Sequence, residues 1–299
     1  MKTKFVGLLV VAIMMATSLF AEAKIIRVPA DYPTIQEGID AALTGDIVLV
    51  ADGTYTGDGN KNLDFNGKAI TVRSENGPES TIIDCEVSGR GFYFHSGEGI
   101  GSQVKGFTVK YADSSGIYCA ESSPLIENNI VTNNSSSSDG GGIYCYHSSP
   151  AIQNNEITNN LANNKGGGIA CEHYSSPLIE NNNIMWNSAL NNGGGISSDG
   201  YSDPIIRNNQ IKKNSANDEG GGIFCSNPSD PNPPEIKNNK IIQNAAFYGG
   251  GIACHLYSSP KIINNLIIRN TSNYGGGISV VYSSTPFIEN STIAQNSAQ

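Results

Sequence analysis

Four ionisable residues fall at matching phases of the chain. Glu172 stands three residues after Ile169 and Asp199 three after Ile196, while His147 and His173 each stand four after an isoleucine, Ile143 and Ile169. If those isoleucines are equivalent points of stacked units, the two carboxylates lie about 5 Å apart, a separation at which carboxylate pairs cleave glycosidic bonds. His147 and His173 would stack in the same way and supply an acid or a base. Glu172, Asp199, His147 and His173 are therefore the candidate catalytic residues. Around them come Tyr144, Tyr146, Tyr174, Tyr201, His255 and Tyr257, with Tyr118 and Phe224 at related phases. Flat rings of this kind can stack on sugars, so the first six are candidate ligand-binding residues. The plainer alternative is that tyrosine suits strand surfaces and that any repeat sets like residues in rows.

The positioning elements follow from the repeat itself. Ile117, Ile143, Ile169, Ile196, Ile223, Ile252 and Ile278 recur at spacings of 26, 26, 27, 27, 29 and 26, each but the first after Gly-Gly-Gly. Pro124, Pro150, Pro177, Pro204, Pro234, Pro260 and Pro286 keep the same beat, with an isoleucine two residues later and another isoleucine, or Val131, seven later. Asparagines stand four past each proline (Asn128 to Asn290) and ten past (Asn134 to Asn296). Three short β-branched segments per repeat, separated by Gly, Ser-Ser-Pro and Asn-Asn, read as strands and turns. They predict an all-β, parallel β-helix with three strands per ~26-residue coil, stacked at ~4.8 Å, with three aliphatic ladders lining its interior. The asparagines two residues beyond the proline-strand isoleucines share their parity and are expected to point inward as an amide ladder. The glycines permit positive φ or a close approach to the next coil.

Cys119, Cys145, Cys171, Cys225 and Cys254 share one inward phase and are expected to stack as buried fillers rather than disulfides. No Cys-x-x-Cys pair is present, so neither a metal site nor another cofactor is expected. With 18 Lys and Arg against 27 Asp and Glu, the chain has a net charge of −9, which argues against nucleic acid as a partner. Residues 1–23 read as a signal peptide: Lys2 and Lys4, an apolar run, then Ala21-Glu22-Ala23. The apolar run is shorter than the ~20 residues of a membrane span, so an exported monomer with no span after cleavage is expected.

Residues 24–112 form a different front end. Thr34 and Glu37 make a capping-box pattern, Ile35, Ile39 and Leu43 share one helical face, and Ile47 to Val50 is apolar. A short helix over a buried strand would cover the open end of a solenoid. With the seven repeats of residues 113–299, this segment resembles the exported right-handed β-helix proteins of the pectin-lyase-like superfamily. The Gly-Gly-x-Ile repeats also resemble those of polymorphic outer-membrane adhesins, with Ile or Val where those have Phe before Asn. The pectin-lyase-like resemblance implies a right-handed coil and a polysaccharide on the outer face of one sheet. The Asp-Asp pair, Gly-His-Gly and Arg-x-Lys of polygalacturonases are missing, as is the Asp and Arg constellation of calcium-dependent pectate lyases.

No capping element follows Ser291 to Gln299, so further chain is expected beyond the last residue. The proline-rich stretch Cys225 to Glu235 lengthens one turn and would wall one end of the Tyr/His strip. The expectation is a secreted or cell-surface scaffold that binds polysaccharide. The alternatives are a polysaccharide lyase or glycoside hydrolase, and a protein-binding adhesin stalk.

Overall fold

A computed structural model of the protein describes residues 23–226 and 233–299. The signal segment lies outside the described residues but for its last position, as does most of the proline-rich turn. Among the described residues the strands form four parallel sheets of eleven, ten, nine and seven strands. Each of the seven repeat coils from Ile117 on contributes one strand to each sheet, while the front coils contribute none to the seven-stranded one. In one coil these are Ile143–Tyr146 (nine-stranded), Ala151–Gln153 (eleven-stranded), Glu156–Thr158 (ten-stranded) and Leu161–Ala162 (seven-stranded). The fourth strand is an addition to the three that periodicity predicts. It has only two residues, too short to leave a hydrophobic period, and its inward position is a small Ser or Ala such as Ser136, Ala162 or Ala189.

The three expected aliphatic ladders are present. Ile143, Ile169 and Ile196 pair in register, as do Ile152 and Ile179, and Ile157 and Ile184. All of these side chains are fully buried. The five phased cysteines form a second inward column of buried free thiols in the same sheet, interrupted by Ser198.

The asparagine expectation is half right. The inward amide is the second of each pair, because the first (Asn128, Asn154, Asn181, Asn208) takes a positive φ of 55–58°. That single left-handed residue reverses the alternation of side chains, so the first asparagine is thrown out to solvent and Asn129, Asn155, Asn182 and Asn209 are buried. The asparagines ten past the proline form a second buried ladder. Asn187 Oδ1 accepts from both the backbone N–H and Nδ2 of Asn160, each at 3.0 Å, while Asn160 Nδ2 also donates to Val131 O. A buried amide is tolerable because its groups are paired in this way from coil to coil.

The glycine corner needs glycine for two reasons. Gly166 has φ +67°, and a Cβ on Gly167 would stand 2.3 Å from Ser188 O of the next coil. At the front end a helix spans Ile35–Ala41, capped by Thr34 Oγ1 accepting from Glu37 N, and it buries Ile35 and Ile39 over the first strands. Leu43 does not join that face and is 73 % exposed. Ala42 is extended and ends the helix first.

Candidate functional site

The outer face of the nine-stranded sheet displays two rows of side chains, because alternate residues of each strand point outward. In the first row Tyr93, Tyr118, Tyr144, Ala170, Ser197, Phe224 and Ala253 follow one another in register. Tyr93, Tyr118 and Tyr144 stack with centroids 5.4 and 5.0 Å apart and planes within 10°. The Arg90 guanidinium lies 4.9 Å from the Tyr93 ring and 5.0 Å from that of Tyr118. Such stacking occupies the faces that a sugar would need. This column therefore offers edges and hydroxyls along its length, and burial pushes the Tyr118 and Tyr144 phenols up.

The second row carries Tyr146 and Glu172 in register, with Asp199 just past the next strand, its N–H donating to Cys171 O. Glu172 and Asp199 do meet, but through a third residue that sequence reasoning passed over. Lys165 Nζ bonds Asp199 Oδ2 and lies 3.7 Å from Glu172 Oε1. Glu172 is 7 % exposed, and its Oε1 has no hydrogen-bond partner. Ser197 Oγ, on the adjacent coil, is likewise buried and unpartnered. Burial is the main force on the Glu172 carboxyl and drives it up to about 7, with Asp139 and Asp199 adding to the rise and Lys165 opposing it. For Lys165 burial works the other way, but the Asp199 bond and the charges of Asp199, Glu172 and Asp139 outweigh it and hold the ammonium protonated.

Lys165 stands immediately before a glycine triplet. The equivalent residues are Asp139, Asn192, Glu219, Tyr248 and Tyr274. The positive-φ glycine turns the chain here, so this residue overhangs the nine-stranded sheet: Asp139 and Glu219 are buried beside it, and Lys165 reaches over it. The available signal was variety, since this position changes among charged, amide and aromatic types while its neighbours stay constant.

The remaining candidates divide into two groups. His147, His173, Tyr174 and Tyr201 lie in the corner after the strands, all at positive φ. There His147 and His173 are 5.6 Å apart, Tyr146 and His173 4.9 Å, and Tyr174 and Tyr201 stack at 5.3 Å. Tyr174 and Tyr201 are 63 % and 41 % exposed. Two coils beyond Asp199, His255 forms a separate pair, its Nδ1 2.9 Å from both Glu219 oxygens and its ring 4.5 Å from Tyr282. Tyr257 is an exposed corner residue beside it. Among the described residues no group of three or more His, Cys, Asp or Glu is arranged to hold a metal ion.

The family model described as "Right handed beta helix region" matches residues 44–184, 104–267 and 177–299. The chain belongs to the right handed beta helix family. Among solved structures, this β-helix chain is similar to the pectate lyase Pel9A, with a TM-score of 0.62 and 16 % identity over 93 % of this chain and 79 % of that one. ORF18 of Geobacillus virus E2 follows at TM-score 0.48 and 14 % identity, covering 86 % of this chain and 57 % of that one. The PL6 family alginate lyase AlyGC gives 0.46 and 16 %, covering 86 % and 40 %. A comparison with curated proteins gives no significant match. At these identities the likeness to Pel9A establishes the fold, with site chemistry to be argued from this chain's own residues.

Proposed function

We propose that this β-helix is exported and binds polysaccharide along the outer face of its nine-stranded sheet and the adjoining corner. The observation that carries the reading is the concentration of histidine and stacked tyrosine side chains on that strip. There the Tyr93–Tyr118–Tyr144 column and the His147, His173, Tyr174 and Tyr201 cluster run parallel to the axis. A polymer lying along the axis meets an equivalent contact every ~4.8 Å. The exposed corner tyrosines, Tyr174 and Tyr201, provide apolar contact, while the phenol edges, Asp199 and Lys165 provide polar groups for hydroxyls. The pectate lyase activity of Pel9A accords with this reading.

Cleavage is the second reading, and one observation favours it: a carboxyl held at about 7 beside another carboxylate suits proton transfer near neutral pH. Against it stands Lys165, which occupies the space between the two carboxylates. The test is incubation of the protein with a panel of neutral, acidic and amino polysaccharides. Bound polymer, new reducing ends and unsaturated products are read in parallel. Binding without products supports the proposal. Products lost on Glu172→Ala would make the chain an enzyme, and a panel wholly without binding would leave the adhesin stalk.

A further inference from the structure

At the far end of the strip lies a cavity of about 340 Å³ lined by Glu219, Tyr248, Val281 and Tyr282, at the small end of the ~300–1,000 Å³ range of ligand pockets. We infer that this cavity is a subsite for the charged ammonium group of an amino sugar, so that the bound glycan carries free amines. The inference rests on the polysaccharide reading and narrows it to one class of polymer.

Three observations carry it. The lining joins a carboxylate to two phenol rings, and an ammonium group is attracted by both, through a charge-assisted hydrogen bond and through the ring faces. The Glu219 carboxylate is 6 % exposed, and its one ion-pair partner among the described residues is His255. When neutral, that imidazole donates a hydrogen bond from Nδ1 and leaves the negative charge uncompensated. Burial also pushes the Glu219 carboxyl up, with His255 opposing, so the site is short of a cation.

The protein supplies its own precedent two coils away, or ~10 Å along the axis. There the ammonium of Lys165 fills the equivalent need, set between Asp199 and Glu172. Among the described residues no lysine pairs with Glu219, and the residues before the neighbouring glycine triplets are Asn192 and Tyr248. The strip as a whole carries Asp139, Glu172, Asp199 and Glu219 against two cations, Lys165 and Arg90. That balance attracts polycations and repels uronates.

Calorimetry on the full chain near neutral pH, with pentamers of glucosamine, N-acetylglucosamine and glucose, tests this. N-acetylation keeps the ring and removes the charge. The expected result is at least tenfold tighter binding of the glucosamine pentamer than of its acetylated form. Glu219→Gln brings that ratio close to one. Tyr282→Ala, a change at a side chain 65 % exposed and so safe for folding, lowers it at least threefold. Equal affinities, or a ratio untouched by both variants, would overturn the amine subsite while leaving glycan binding intact. Absence of binding to all three pentamers and to the polysaccharide panel would instead sink the polysaccharide reading itself.

Discussion

Replacing Glu172 by glutamine should make the protein more stable at neutral pH and leave it nearly unchanged in acid. The folded carboxyl titrates at about 7, against an ordinary value of 4.5, chiefly because it is buried. Below about pH 4.5 the carboxyl is protonated in both folded and unfolded chains, and its contribution to stability is at its fullest. Between about 4.5 and 7 the unfolded chain gives up this proton while the folded chain keeps it, so stability falls by ~1.36 kcal/mol per pH unit. Above about 7 the loss is complete, at about 3 kcal/mol. Glutamine keeps the shape and cannot ionise. Asp139, Asp199 and the histidines are common to both proteins and largely cancel from the difference. Urea unfolding of the two proteins from pH 4 to pH 8 reads it directly. The variant should gain on the parent steadily across the window and hold its lead above it. Parallel profiles, or a variant that loses ground as pH rises, would refute the claim that burial outweighs Lys165 at this carboxyl.

Asn187→Ala removes four hydrogen bonds of the second amide ladder, stranding Asn160 N in the interior and leaving Asn160 Nδ2 with Val131 O alone. At ~1–3 kcal/mol for the stranded group and ~1 kcal/mol for each of the three other lost bonds, it should cost about 4–6 kcal/mol in urea unfolding, and a cost under 1 kcal/mol would contradict the ladder's role. Gly167→Ala should prevent the coil from closing, since its Cβ meets Ser188 O at 2.3 Å; native-like circular dichroism and melting for this variant would count against that. The cysteines should resist a water-soluble thiol reagent in the folded protein and react on unfolding, since burial pushes Cys85 and Cys225 up to about 12. Rapid reaction in native buffer would place them wrongly. Tyr146→Ala with Tyr174→Ala should weaken polysaccharide binding about tenfold or more, and unchanged affinity would remove the corner cluster from the site.

Much of the architecture could be read in the chain because its interior obeys a period of two within strands and ~26 between coils. Ile143, Ile169 and Ile196 announce their ladder by spacing alone. What spacing could not convey was the effect of single backbone residues. Asn154 at φ 56° reverses the parity that alternation assumes, so the inward amide belongs to Asn155. Ala42 in extended conformation releases Leu43 from the helix. At the candidate site, sequence phase brought Glu172 near Asp199 and His147 near His173. It could not reveal Lys165 or Glu219, because the residue before each glycine triplet reads as part of a turn. The turn in fact folds it over the sheet. Nor could it show that Tyr118 and its neighbours spend their ring faces on one another, which depends on rotamers as well as register.

The central claim is that one face of this solenoid, and no other, holds a polysaccharide. Hydroxyl-radical footprinting with and without a polymer that binds would test it most directly. Protection of Tyr144, Tyr146, Tyr174, Tyr201 and Tyr257, with Trp186 and Phe287 unaffected, is the predicted result. Trp186 and Phe287 are exposed reporters away from the strip, one in the corner after the ten-stranded sheet and the other on the eleven-stranded sheet. Protection of those two residues, with the tyrosines of the strip left open, would contradict the account.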